Sequence, residues 1–129
     1  MLSSVPFIAF VPVTDLSVAT SFYGDTLGLA TTSHGPFALS VDLGGTMLRL
    51  TAVERLTPQP FTIAGWSVEN LDAAVRQLTE RGVAFASFDG VDQDELGIWT
   101  APNGDRVAWF FDPDGNVLSL TAFATETRD

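Results

Sequence analysis

The sequence contains no cysteine, no lysine and only one histidine, His34. The absence of cysteine excludes disulfide bonds, thiolate nucleophiles and cysteine-ligated zinc. A single histidine also excludes any site that needs two imidazole groups from one chain. No apolar run approaches the roughly 20 residues that cross a bilayer, and the first residues lack the basic start of a signal peptide. We therefore expect a cytoplasmic protein without a membrane partner.

Positive charge is scarce in this chain, whereas negative charge is abundant. Its basic residues number 6 and its acidic residues 16, so the formal net charge is −10. A chain of this sign repels the phosphate backbone of nucleic acids, which we therefore do not expect as a partner. With 129 residues and 46% hydrophobic side chains, the chain is long and apolar enough to fold around a core without disulfide bonds.

The first half of the chain predicts the element order β-α-β-β-β. A β-branched and aromatic run, Phe7–Val13, is typical of a strand, and Asp15 after it is typical of a helix cap. The spacing of the apolar residues after Asp15 predicts a helix with a single apolar stripe. Three strand-like runs follow, and a Gly44-Gly45 turn separates the last two. The stripe consists of Leu16, Ala19, Phe22 and Tyr23, and the runs are Leu29–Ser33, Phe37–Leu43 and Thr46–Val53.

The second half of the chain indicates the same kind of module. It follows a connector, residues 54–60, in which Pro58 and Pro60 are unsuited to a central strand. Asn70 is the predicted cap of a second helix, which ends at Gly82. The strand-like runs of this half are Phe61–Val68 before the helix and Val83–Phe88, Leu96–Thr100, Arg106–Phe111 and Val117–Phe123 after it.

The two halves align with each other as an internal repeat. Ile8 aligns with Ile63 near the start of each half, and Gly45 aligns with Gly115 near the end, at a larger offset. The second half therefore carries extra residues in its loops. We predict one domain, residues 1–129, made of a first module at about 5–53, a linker at about 54–60, a second module at about 61–123 and a short tail at 124–129.

Three segments, which together span nearly the whole chain, carry a likeness to a known family. They are Val13-x-Asp15-Leu16 with Phe22-Tyr23-x-Asp25-x-Leu27-Gly28-Leu29, then Val68-Glu-Asn-Leu71 with Arg81-Gly82-Val83, then Phe111-Asp-Pro-Asp-Gly-Asn116-x-Leu118. The chain resembles the vicinal oxygen chelate superfamily of glyoxalases, ring-cleaving dioxygenases, fosfomycin resistance enzymes and bleomycin-binding proteins. The resemblance implies an α+β fold in which two repeated β-α-β-β-β modules form a curved, open mixed sheet with a concave bowl. It also implies a homodimer.

Enzymes of this superfamily typically hold a metal ion with His, Glu or Gln side chains on the first and last strands of each module. Transferred through the repeat, those positions are Ile8 and Arg49 in the first module and Ile63 and Ser119 in the second. Alkyl chains offer no lone pair, a guanidinium repels a dication, and a serine hydroxyl alone is a weak ligand. We therefore expect no metal ion and no other cofactor.

A bowl without a metal ion is expected to bind a small organic ligand. The alternation of side chains along the strands gives it an apolar lining with a few polar groups, which is typical of small-molecule pockets. Arg49 needs an anion, supplied either by Asp42 within the protein or by a carboxylate or phosphate of a ligand. Trp99 and Trp109 are either platforms for a ligand or core residues. The candidate ligand-binding residues are Phe10, Met47, Arg49, Trp99, Trp109 and Ser119.

Two other polar features are interpreted as structural. His34 stands in a turn, just before Gly35-Pro36, where it is exposed or stabilises the turn. An acidic loop departs from the calcium-binding pattern at two ligand places, so we interpret it as solvated. The acidic residues of this loop are Asp89, Asp92, Asp94 and Glu95.

Taken together, the sequence favours a small-molecule-binding protein of the superfamily that lacks the usual metal ligands. Bleomycin-resistance-like sequestration of a small organic ligand is one form of that function. The alternative is a glyoxalase-like lyase or isomerase whose ligands lie elsewhere or come from the second subunit of a dimer, so enzymatic activity stays open. A third hypothesis is an interaction module that binds a second protein.

Overall fold

Each half of the chain folds into its own four-stranded sheet. The structure is a computed structural model that describes residues 1–124, and the chain divides into two compact units, Met1–Thr57 and Pro58–Asp129. We call them the N-terminal and the C-terminal unit. Beyond Ala124, the predicted tail lies outside the described residues.

The N-terminal unit contains a short 3-10 helix followed by the predicted module. In its sheet the strand order is β1-β4-β3-β2; β1 runs parallel to β4, and the other neighbours are antiparallel. The elements are the 3-10 helix Leu2–Ser4, β1 Ile8–Val13, α1 Leu16–Ala19, a π-helical segment Thr20–Thr26, β2 Ala30–Ser33, β3 Ala38–Asp42 and β4 Met47–Ala52.

The C-terminal unit repeats this topology. Its strand order is β5-β8-β7-β6, again with the first and last strands of the module parallel and in contact. The elements are β5 Thr62–Ser67, α2 Leu71–Glu80, β6 Trp99–Thr100, β7 Arg106–Phe111 and β8 Val117–Ala122. The predicted α+β class and the duplicated module are confirmed, and both sheets are mixed and open.

Both helices begin at the predicted caps. The Asp15 carboxylate accepts hydrogen bonds from the backbone N–H groups of Ser17 and Val18. The Ser17 hydroxyl also donates to it, and these bonds to the charged form, that of the hydroxyl first, lower the pKa of Asp15 below its ordinary value. Asn70 caps α2 through a bond from Ala73 N.

The first helix differs from the predicted regular helix because its second half is π-helical. The wider turn is visible in the bond from Leu27 N to Phe22 O, which spans five residues. Ala19 and Tyr23 of the predicted apolar stripe are nevertheless buried, at 2% and 0% exposure. The stripe therefore packs as expected although the helix is not a regular α-helix.

In each sheet one face forms the core and the other face is open. Leu48 and Leu50 of β4 are buried, whereas Met47 and Arg49, which alternate with them along the strand, are not. Trp66 of β5 lies on the core face, where it stacks on Phe110 at a centroid distance of 6.4 Å. This alternation with period two decides which side chains are available to a ligand.

The strand predicted over Val83–Phe88 does not form, and only Phe85 makes an isolated bridge, to Phe110. The side chain of Gln93 bonds the backbone of Phe88, Ala86 and Gly97 in the place of a partner strand. In the same loop, the Asp94 carboxylate accepts hydrogen bonds from the backbone N–H groups of Leu96 and Ile98. The side chains of Gln93 and Asp94 therefore supply hydrogen-bond partners for the backbone of this loop.

Within the described residues, no helix has both the length and the apolar character that a membrane span requires.

Candidate ligand-binding faces

The open face of the N-terminal sheet brings together three of the predicted ligand-binding residues. Phe10, Arg49 and Ser40 align across the adjacent strands β1, β4 and β3, and Met47 lies beside Arg49 on the same face of β4. Phe10 is 64% exposed and Met47 37% exposed. We call the surface formed by Ile8, Phe10, Thr32, Ser40, Asp42, Met47 and Arg49 the N-terminal face.

Arg49 is half-buried on this face, and it has no carboxylate partner. Within residues 1–124 no acidic oxygen lies within 4.0 Å of its guanidinium, so the ion pair with Asp42 that the sequence allowed is not formed. Asp42 aligns with Met47 rather than with Arg49, and its carboxylate accepts a bond from Gly44 N at 3.1 Å in the following turn. The positive charge of Arg49 is therefore available to a ligand.

His34 reaches this face although the sequence indicated only a turn residue. Its Nε2 lies 2.8 Å from Ser40 Oγ, while its backbone N–H bonds Ala38 O in the β2–β3 hairpin. Sequence reasoning missed both His34 and Ser40. The signal for them is the hairpin register, since it places residues 34 and 38 opposite each other and residue 40 on the diagonal of the same face.

A groove of about 340 Å³ opens at one end of the N-terminal face. Its walls are mostly apolar, with hydroxyl and carboxylate groups at intervals. Such a lining suits the body of a small organic molecule. The groove is lined by Pro6, Phe7, Ile8, Thr32, Ser40, Val41, Asp42, Gly45, Thr46 and Met47.

The open face of the C-terminal sheet brings together the other three predicted residues. Trp109 aligns with Ser119 across β7 and β8, and Trp99 on β6 aligns with Val107, on the same face as Trp109. The two indole rings lie 6.2 Å apart between centroids and are tilted by 31°. We call the surface formed by Thr62, Gly65, Phe88, Trp99, Trp109 and Ser119 the C-terminal face.

Two contacts that the sequence did not indicate hold Trp109 in place. Its Nε1–H donates to Thr62 Oγ1 at 3.1 Å, and the Phe88 ring meets it edge-to-face at 5.5 Å. An indole held by a hydrogen bond at its polar edge and by an aromatic contact is a preorganised surface for a flat ligand. Both Trp99 and Trp109 are half-buried, so they keep exposed ring area.

Gly65 lies on the C-terminal face opposite Ser119. A Cβ atom at residue 65 would meet Ser119 Oγ and would lie 2.9 Å from the backbone oxygen of Ser119. The φ angle of Gly65 is not positive, so the glycine is needed for space rather than for backbone conformation. The absence of a side chain at Gly65 allows the parallel strands β5 and β8 to lie close together, with the Ser119 side chain packed against the backbone of Gly65.

Gly65→Ala is expected to lower the free energy of unfolding by about 1–3 kcal/mol, because a strand must shift to admit the methyl group. Chemical denaturation measures the change. Gly24→Ala is the matched control, since its nearest neighbour would be an ordinary contact at 3.5 Å and its φ is also not positive. We expect the control to change stability by less than about 1 kcal/mol. Equal effects of the two variants would contradict the crowding at Gly65.

The positions that hold a metal ion in enzymes of the resembled family do not fit a divalent cation here. A β-bulge between Thr62 and Ala64 shifts the register, so that Thr62 rather than Ile63 aligns with β8 at the start of β5. In the N-terminal unit Ile8 and Arg49 offer an alkyl chain and a positive charge, and in the C-terminal unit Thr62 and Ser119 offer only hydroxyl groups. In the part of the chain that the structure describes, no three His, Cys, Asp or Glu side chains are grouped as metal ligands.

Two β-α-β-β-β units, each with an open mixed sheet and the first strand parallel to the last, define the class of fold. The chain belongs to the glyoxalase/bleomycin resistance protein/dioxygenase superfamily, whose sequence profile matches residues 5–120. The resemblance stated from the sequence is thereby confirmed. A comparison with curated proteins gives no match.

Solved structures of the superfamily share this fold. A member from Sphaerobacter thermophilus is 27% identical, with a TM-score of 0.73 over 95% of this chain and 100% of that chain. A glyoxalase/bleomycin resistance protein/dioxygenase from Alicyclobacillus acidocaldarius is 19% identical, with a TM-score of 0.72 over 96% and 95%. The glyoxalase family protein from Enterococcus faecalis is 20% identical, with a TM-score of 0.70 over 94% and 99%.

Proposed function

We propose that this chain is a small-molecule-binding protein of its superfamily that holds an organic ligand without a divalent metal ion. The observation that carries the proposal is Arg49, a half-buried guanidinium without a carboxylate partner in residues 1–124, set among apolar side chains at the position of a family metal ligand. A cation in that place repels a metal ion and attracts the negative group of a ligand.

A second subunit in a homodimer is part of the same proposal, and light scattering tests it.

The C-terminal face supports binding of a flat ligand. The Trp99 and Trp109 rings present adjacent aromatic surfaces, and aromatic surfaces stack on planar or cationic groups. The net charge of −10 adds a long-range attraction for a cationic molecule. Bleomycin-resistance-like sequestration is the form of the function that these features favour, and a bleomycin-type glycopeptide is the first probe.

Titration of bleomycin against the intrinsic tryptophan fluorescence tests this form of the function. We expect a saturable change that persists in Trp66→Phe, because Trp66 lies on the core face, and that is reduced in Trp99→Phe and Trp109→Phe. The affinity should fall as salt is raised, since salt screens the long-range attraction. An unchanged spectrum at high micromolar bleomycin would exclude this guest.

Metal analysis of protein purified without a chelator separates the proposal from its rival, a glyoxalase-like lyase or isomerase. The donor set at the family positions predicts substoichiometric zinc, nickel, manganese and iron. One tightly held metal ion per chain would contradict the proposal and favour the enzyme, with ligands from outside the positions considered above or from a second subunit.

A further inference from the structure

We propose that the N-terminal face recognises a single carboxylate group on an otherwise apolar ligand. The carboxylate is held by the Arg49 guanidinium and the Ser40 hydroxyl, with His34 as the residue that orients Ser40. The inference rests on the proposed function, because it names the chemical group that this face would bind.

The positions of Arg49 and Ser40 meet the needs of a carboxylate. The two residues are directly aligned on neighbouring antiparallel strands and lie on the same face of the sheet. Directly opposed side chains in such a pair start about 5 Å apart, so one group with two oxygens can contact both. The guanidinium and the hydroxyl then each donate a charge-assisted hydrogen bond to the carboxylate, since its oxygens carry the negative charge.

His34 gives Ser40 a preferred direction. Ser40 is 9% exposed, and its Oγ lies 2.8 Å from His34 Nε2. With the proton on Nε2, the imidazole donates to the serine oxygen, and the hydroxyl hydrogen is directed away from His34 to a ligand oxygen. His34 is therefore a positioning residue in this proposal, and it contacts the ligand only through Ser40.

The same face disfavours a second negative charge. Asp42 lies two residues from Ser40 on the same face of β3, about 7 Å along the strand. It also lines the groove, where Ile8 and Met47 supply apolar walls for the rest of the ligand. The Asp42 carboxylate would therefore repel a dianion placed at Arg49 about twice as strongly as it repels a monocarboxylate at the same place. These groups together select an apolar monocarboxylate.

Phenylacetate is the probe for this proposal, and 2-phenylethanol is its neutral counterpart of similar size. We expect phenylacetate to shift the backbone amide NMR signals of β3 and β4 and to bind at least about 10-fold more tightly than 2-phenylethanol, since a hydrogen bond to a charged group carries about that factor. Phenyl phosphate should bind more weakly than phenylacetate. Asp42→Asn should reduce this difference in affinity, because it removes the negative charge that repels the phosphate.

Arg49→Met keeps the bulk of the side chain and removes the charge. It is expected to abolish the preference for phenylacetate over 2-phenylethanol, whereas Arg76→Met, which removes the same charge from the exposed surface of α2, should leave the preference intact. Ser40→Ala and His34→Ala should each weaken phenylacetate binding by several-fold. The double variant should bind phenylacetate no more weakly than either single variant, because His34 acts through Ser40. If the methionine variant does not fold, Arg49→Gln, which also removes the charge, replaces it as the test, and the same loss of the preference is expected.

The outcomes separate this inference from the proposed function. Equal binding of phenylacetate and 2-phenylethanol at the N-terminal face overturns the carboxylate assignment and leaves small-molecule binding supported. Shifts confined to other parts of the chain overturn it as well. A preference for phenyl phosphate in the unmodified protein also overturns it, in favour of a phosphate site. A different result contradicts the proposed function itself, namely no binding of phenylacetate, 2-phenylethanol, phenyl phosphate or bleomycin.

Discussion

Phe110→Ala is expected to lower the free energy of unfolding by about 3–5 kcal/mol, the usual range for removing a fully buried phenylalanine. Phe110 has no exposed surface, and it lies on the core face of β7 in the C-terminal unit. Its ring stacks on Trp66 at 6.4 Å and meets the Phe85 ring edge-to-face at 5.5 Å. Alanine leaves a cavity between those two rings, which the sheet cannot close without moving a strand.

Phe111→Ala is the matched control for this prediction. Phe111 is the next residue of the same strand, but it points to the open face and is 45% exposed. We expect it to cost at most about 1 kcal/mol, because much of its apolar area already contacts water. Urea denaturation of both variants measures the difference. If Phe110→Ala fails to fold, Phe110→Leu should show a smaller, measurable loss, and equal losses at residues 110 and 111 would contradict the assignment of the two faces.

The contrast between Phe110 and Phe111 also illustrates what the sequence predicts. Strand alternation and turn residues are local signals, so they predicted the duplicated module. The same alternation placed Phe10, Met47, Arg49 and Ser119 among the side chains that line the bowl, because the direction of a side chain follows from period two. It left Trp99 and Trp109 open as ligand platforms or core residues.

Other parts of the fold and of the candidate site depend on contacts that no local signal reports. Because of the bulge between Thr62 and Ala64, Thr62 rather than Ile63 lies on the same face as Ser119 at the start of β5. The sequence around the bulge looks like that of a regular strand. The side chain of Gln93 makes three hydrogen bonds to the backbone of Phe88, Ala86 and Gly97, where a strand over Val83–Phe88 was predicted. His34 reaches Ser40 only because of the register of one hairpin. These features depend on pairing between residues that are distant in the sequence, and such pairing leaves no recognisable local pattern in a single sequence.

The segment Asp112-Pro113-Asp114-Gly115 has residue types that are typical of a turn, and its structure explains why Asp112 stabilises that turn. Asp112 is 4% exposed, and its Oδ1 accepts bonds from Asp114 N at 3.0 Å and from Asn116 N at 2.9 Å. Its Oδ2 accepts a bond from Asn116 Nδ2 at 2.9 Å. One carboxylate thus satisfies three donors at the point where β7 turns into β8.

Asp112→Ala is expected to lower the free energy of unfolding by about 3 kcal/mol, because it leaves buried donors without an acceptor and each such donor costs about 1–3 kcal/mol. Asp112→Asn keeps an acceptor for the two backbone N–H groups, and the Asn116 amide can rotate to present its oxygen, so an intermediate loss is expected. Asp89→Ala, in an exposed loop, should change stability by less than about 0.5 kcal/mol. Thermal and urea denaturation rank the three variants. A loss at Asp112→Ala no greater than at Asp89→Ala would mean that the turn forms without its carboxylate.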